Sequence, residues 1–189
     1  MSVSGSRIDY NFAERRLWDD AGALLLKIGL KNGQTLVDMG AGDGYFSIPA
    51  AQMAGPKGKI YAIDSSTENL AGLERRAREA GLSNIETVIG EAEKTVPCEN
   101  CADMVLIANA LHDFADPLAA LRNASRMLKP GGRLADLDWR KEQDRLHGPS
   151  FAKRFSQEKA ELLITQAGYK ILSSALTGRF HYLIVATPA

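Results

Sequence analysis

The stretch "VDMGAGDGYF", Val37 to Phe46, holds the residues best suited to chemistry by type and spacing. Gly40, Gly42 and Gly44 stand at alternate positions, with Asp38 before them and Asp43 among them. Glycine admits φ > 0 and lets a ligand approach the main chain closely. A helix opening after such a turn offers free N–H groups and the positive end of its dipole, a setting for an anionic group. About 20 residues further on, Asp64 closes the apolar run "KIYAID", where a carboxylate can accept both hydroxyls of a ribose. Turn and acid together predict a nucleoside with a charged tail. A plain tight turn would explain one or two of these glycines, not three.

A second group lies in "NALHDF". His112 titrates near neutrality when unperturbed, so it is the first candidate for a base or a group that orients an acceptor. Asp113 is the second. A positioned base adds about 10²–10⁴-fold to a reaction that must lose a proton. Asp138 and Trp139 end the run "RLADLDW" and are placed to line the same cleft; Trp139 reads equally well as a core residue. Tyr10, Arg15 and Trp18 belong to the N-terminal segment. His147 reads as a loop residue and His181 as a structural strand residue. Cys98 and Cys101, in "CENC", lack the further ligands of a zinc site and read as two thiols in a loop. No metal is expected.

These residues need a scaffold. Apolar residues recur at helical spacing over Phe12–Ile28, which predicts an amphipathic helix. After Gly33 the pattern becomes strand and helix in alternation. "TLVDM", "KIYAID", "IETVIG", "ADMVLIAN" and "RLADLDW" read as strands. "GYFSIPAAQMAG", "STENLAGLERRAREAG", "DPLAALRNASRMLKPGG" and "SQEKAELLITQAGY" read as helices. Such alternation implies right-handed crossovers and a parallel sheet covered on both faces. The last pair, "KILSSAL" and "HYLIVATP", is joined by "TGRF", too short for a helical crossover. One strand near an edge is therefore reversed.

NAD and S-adenosylmethionine both answer to a nucleoside with a charged tail. The dinucleotide fingerprint is GxGxxG/A, and Tyr45 occupies its third-glycine position, where helix and strand must pack closely. That and the reversed strand disfavour NAD. "VDMGAGDGYFSIPAA" resembles the first motif of the class I S-adenosylmethionine-dependent methyltransferases. "IYAIDSS" resembles their acidic second-strand motif, and "ADMVLIANALHDFADPLAALRNASRMLKPGGRLADLDW" their fourth strand, next helix and fifth strand. The likeness runs from about Gly33 to the C-terminus and is nearest the small ubiquinone/menaquinone-biosynthesis-like branch (methyltransferase type 11/31).

The resemblance implies an α/β, Rossmann-like three-layer sandwich with a seven-stranded, mostly parallel sheet and an antiparallel last strand. It implies S-adenosylmethionine as cofactor, with residues 1–32 a helical cap and 33–189 the binding domain. Gly40, Gly42 and Gly44 would lie under the methionine and ribose. Asp38 would orient the loop and help hold the ammonium. Asp64 would take the ribose hydroxyls. Ser65, Glu91 and Ala92 would stand at the adenine, and Asn109 at the methionine ammonium. The family's usual residue at the Glu91 position is aspartate.

The function implied is methyl transfer by in-line displacement to a small-molecule acceptor. A binding protein without catalysis stays open as the alternative, and an NAD-dependent oxidoreductase stands behind it. Nucleic acid is not expected as partner: 23 basic residues balance 23 acidic ones, and no Pro-Pro-aromatic segment follows Asn109. No apolar run approaches the ~20 residues that span a bilayer, and the polar N-terminus lacks a signal-peptide core. The expected location is cytoplasmic, and a homodimer stays open.

Overall fold

The computed structural model describes residues 20–142 and 148–189. Tyr10, Arg15, Trp18 and His147 lie outside the described residues. Helix α1 (Ala21–Ile28) opens at Asp20, whose extended backbone and side chain, accepting from the Ala23 N–H at 3.0 Å, form its N-cap. Of the helix predicted over 12–28, Ala21–Ile28 is described and is capped by Asp20; residues 12–19 lie outside the described residues. Its apolar stripe Ala21, Leu24, Leu25 and Ile28 is buried in the same cluster as Leu36 of the first strand, so the described part of the expected cap shares a core with the rest of the chain.

The sheet has seven strands: β1 (Thr35–Met39), β2 (Lys59–Asp64), β3 (Ile85–Ile89), β4 (Ala102–Ala108), β5 (Leu128–Trp139), β6 (Tyr169–Thr177) and β7 (His181–Pro188). Their order is β3-β2-β1-β4-β5-β7-β6. Strands β1 to β5 pair in parallel, and β7 runs antiparallel to both β5 and β6. The reversed strand expected from the short link is therefore β7, one place in from the β6 edge. Helices α2 (Ser47–Ala54), α3 (Thr67–Glu79), α4 (Pro117–Met127) and α5 (Gln157–Gln166) make the crossovers.

Two predicted boundaries move for local reasons. Gly44 has φ of 91°, which no right-handed helix accepts, so α2 starts at Ser47 rather than in the turn. Pro130 lacks the N–H a helix needs, so α4 stops at Met127. Leu128–Gly132 then joins β5 with an offset, Leu128 pairing with Ala102 and Arg133 with Met104.

Alternation along the strands divides the core. Val37, Met39, Val105, Ile107, Leu134 and Tyr182 face one layer with Leu121, Ala124 and Ile164 of α4 and α5. Leu36, Leu106, Leu137 and Leu183 face the other, with Leu25 and Ile28 of α1 and Ala50 and Ala54 of α2. Each fully buried Leu or Ile contributes about 1.5–3 kcal/mol. Asp136 and Asp138 fall on the first face, two and four residues beyond Leu134. Among the described residues no helix is long and apolar enough to cross a membrane.

Candidate cofactor and acceptor site

The carboxyl ends of β1, β2 and β4 open onto a cleft of about 640 Å³, within the range of small-ligand sites. Gly40, Asp64, Ser65, Glu91, Ala92 and Asn109 line it, and so does Asp113. The structure therefore brings together most of the residues expected at a cofactor.

Asp64 is held from three sides. Its Oδ2 accepts the Gly42 N–H at 2.8 Å; its Oδ1 accepts the Ser66 N–H at 2.8 Å and the Asn69 side-chain amide at 3.3 Å. These bonds fix the carboxylate while leaving lone pairs for a ribose. Asn69, which also lines the cleft, was not found from sequence. The one signal for it was its place three residues beyond the helix N-cap Ser66.

The three glycines divide their work. A Cβ on Gly40 would meet the Ala110 Cβ at 2.7 Å, at the cleft wall. Gly42, φ 55°, faces open space and gives its N–H to Asp64. A Cβ on Gly44 would meet the Leu73 side chain of α3 at 2.2 Å. Gly42 and Gly44 are not among the cleft-lining residues; Gly44 packs turn against helix. Asp38 is buried and is not among the cleft-lining residues; its Oδ2 accepts the Ser47 hydroxyl at 2.6 Å and ties the turn to α2.

Asn109 follows β4 with φ of 55°, donating its N–H to the Leu137 carbonyl at 2.7 Å. Its side-chain Oδ1 is buried with no partner among the described residues. Among the described residues, the charged side chains lining the cleft are four acids, Asp64, Glu91, Glu93 and Asp113, against one base, Lys94, which pairs with Glu91 at 2.5 Å. Such a balance suits a ligand carrying ammonium and sulfonium charges and opposes a diphosphate. The residues present thus fit S-adenosylmethionine better than NAD.

His112 and Asp113 sit in a 3-10 turn (Leu111–Asp113) after β4. Their side chains part. Asp113 lines the cleft, its Oδ1 accepting from Lys153 Nζ at 2.9 Å. The His112 side chain is 2% exposed and is not among the cleft-lining residues; its Nδ1 lies 2.7 and 2.8 Å from the two carboxyl oxygens of Asp138. Its Nε2 lies 3.5 Å from Asp113. Burial acts most strongly on the imidazole and lowers its pKa, but the Asp138 hydrogen bond and charge, with Asp113, outweigh it and raise the pKa overall.

Asp138 is wholly buried and is not among the cleft-lining residues. Trp139 is likewise buried: Gly148 packs on its ring, Arg154 lies 5.5 Å above it, and the His181 ring is 4.3 Å away. It belongs to the core rather than to the acceptor surface. Cys98 and Cys101 form a disulfide in the loop between β3 and β4, where the sequence read two separate thiols.

A family profile described as a methyltransferase domain matches residues 30–177. The ubiquinone/menaquinone biosynthesis C-methyltransferase UbiE of Francisella philomiragia is 31% identical over 132 residues, which is 69% of this chain and 52% of that relative. The chain spans about half the length of the curated relatives it matches. Among solved structures, a SAM dependent methyltransferase from Aquifex aeolicus superposes with a TM-score of 0.84 at 29% identity, covering 94% of this chain and 98% of that one. The [4+2]-cyclase SpnF superposes with a TM-score of 0.78, covering 99% and 85%, at 20% identity, a likeness of fold alone. Glycine turn, ribose-type acid and matched span agree: the chain belongs to the methyltransferase domain family, whose cofactor is S-adenosylmethionine.

Proposed function

We propose that this protein transfers a methyl group from S-adenosylmethionine to a small-molecule acceptor. The observation that carries the reading is the cleft itself, lined among the described residues by a pinned Asp64, by Asn109 and by a mostly acidic set of side chains. Asp64 takes the ribose hydroxyls. Ser65, Glu91 and Ala92 receive the adenine, and Gly40 and Asn109 the methionine end. Asp38, Gly42 and Gly44 act from behind, by holding the loop.

When bound, the cofactor supplies a methyl group already activated on sulfur. The chain's task is alignment, which is worth about 7–11 kcal/mol when the acceptor is well placed. Asp113 faces the acceptor and takes its proton where one must leave. His112 stands behind Asp113 rather than in the cleft. Residues 1–32 act as a cap, and the acceptor lies between that cap, the 109–115 loop and the segment after Trp139. The relatives' names make quinone-like acceptors the first class to screen. Independence from nucleic acid belongs to the same reading and rests on the balanced charge, and a cytoplasmic location is part of it. A homodimer is part of it only if solution mass shows one.

The burial of His112 favours one other reading, a protein that binds the cofactor without transferring the methyl group. The deciding experiment is calorimetric titration with S-adenosylmethionine, S-adenosylhomocysteine and NAD, beside an Asp64→Ala variant. Saturable binding of the first two is expected, weakened at least about tenfold in the variant, since bonds to a charged acceptor are worth about 1.5–3 kcal/mol. Binding of neither, or of NAD alone, overturns the reading. Binding with no turnover across an acceptor panel favours the non-catalytic alternative.

A further inference from the structure

A buried polar cluster lies behind Asp113. Asp136 and Asp138 share one face of β5, and Tyr182 of β7 stands opposite Asp138 in the sheet register. All three are 0% exposed. The two acids have unlike surroundings. Asp138 accepts from the Trp139 N–H at 2.7 Å and from the His112 N–H at 3.4 Å, and both its oxygens lie against His112 Nδ1. Neither oxygen of Asp136 has a hydrogen-bond partner among the described residues, and nor does the Tyr182 hydroxyl. One buried carboxyl is surrounded by donors and suited to carry charge; its neighbour is not.

We propose that Asp138 is the positioning residue of this site: it holds the His112 ring by Nδ1 and so presents Nε2 to Asp113, the carboxylate at the cleft wall. This rests on Asp113 facing the acceptor. An ionised carboxylate only accepts, so the shared proton sits on Nδ1. In the imidazolium form the Nε2–H then faces Asp113 Oδ2 at 3.5 Å, while Asp113 Oδ1 accepts from Lys153 Nζ of the segment after Gly148. The groups facing His112 are Asp138 from β5, Asp113 from its own turn and Lys153. Asp136 and Tyr182 lie along the sheet from Asp138, and His181 packs with Trp139. Burial, and then the Asp138 charge, hold the Asp136 carboxyl well above the usual carboxylate range. Neither Asp136 oxygen bonds the imidazole, so it does not compete with Asp138 for the proton on Nδ1.

Nitrogen-15 NMR of the imidazoles tests this on the full chain, which has three histidines. In the wild type, His112 is expected with its proton on Nδ1 and a titration midpoint above the ordinary 6.5. Asp138→Asn is expected to lower that midpoint, because burial then acts with less opposition. Asp136→Asn, which keeps a neutral group of the same shape, is expected to leave it unchanged. A wild-type midpoint at or below the ordinary value overturns the proposal without any variant. So does a His112 signal indifferent to Asp138→Asn in a folded protein, or one that follows Asp136→Asn instead. Cofactor titration of the same samples separates this from the functional reading: loss of binding in the wild type refutes the latter, while the His112 signal still reports on Asp138.

Discussion

At the scale of single residues, Gly42 and Gly44 carry different burdens despite similar backbone strain. Both have positive φ, 55° and 91°. Gly42→Ala meets open space and is expected to cost only the left-handed backbone energy, about 1–2 kcal/mol. Gly44→Ala drives a methyl into Leu73 and is expected to cost about 2–4 kcal/mol in all. Urea unfolding of the two variants checks the order. Alternate glycines are visible in a sequence, but which one touches a neighbouring helix is not, because Leu73 lies far along the chain. The same distinction governs the acids. Asp64 was legible because a short crossover sets its spacing from the turn. The seclusion of His112 was not, since its partner Asp138 is 26 residues away on the adjacent strand. Lys153 is 40 residues from Asp113, in a stretch with no periodic pattern to mark it.

At the scale of elements, the turn after β1 is held by two acids acting in different directions. Asp64, at the end of β2, draws the Gly42 N–H across the sheet. Asp38, at the end of β1, draws the first residue of α2 inward through Ser47. Ser47→Ala deletes a hydrogen bond to a buried carboxylate and is expected to cost about 1–3 kcal/mol of stability. Calorimetric unfolding reads that loss, and cofactor titration reads whether the loosened turn also binds more weakly. The strands and the parallel order of the first five were legible because apolar runs of strand length alternate with capped helices. The helix ends were less so. Pro130 ended α4 as expected of a proline, but the residues after Met127 went into a strand, which depends on a register with β4 that no local pattern records.

At the scale of the whole molecule, the buried cluster couples folding to proton concentration. His112 has a raised folded pKa, so its contribution is complete below the unfolded value of 6.5 and disappears as pH climbs through the folded one. Asp136 is also raised, from 3.8. The folded chain keeps that proton where the unfolded chain has lost it, so stability falls as pH rises from the ordinary value toward the folded one. Both groups act in the same direction. The expected result is unfolding free energy that declines with rising pH, and a shallower decline in Asp136→Asn. Denaturant curves at about pH 5, 7 and 9 measure it; parallel profiles for variant and wild type would remove Asp136 from the account.

The position of β7 between β5 and β6 has a bearing on how the protein is made. Every other described strand is synthesised before it, yet it fills an inner place in the sheet. Until His181–Pro188 emerges from the ribosome, β5 and β6 have no strand between them. Tyr182 cannot yet stand opposite Asp138 in the sheet. A nascent chain can therefore shape the glycine turn and the Asp64 end of the cleft early. The acidic interior behind Asp113 must wait for β7, so the cleft around Asp64 and the cluster behind it are completed at different moments in the making of the chain.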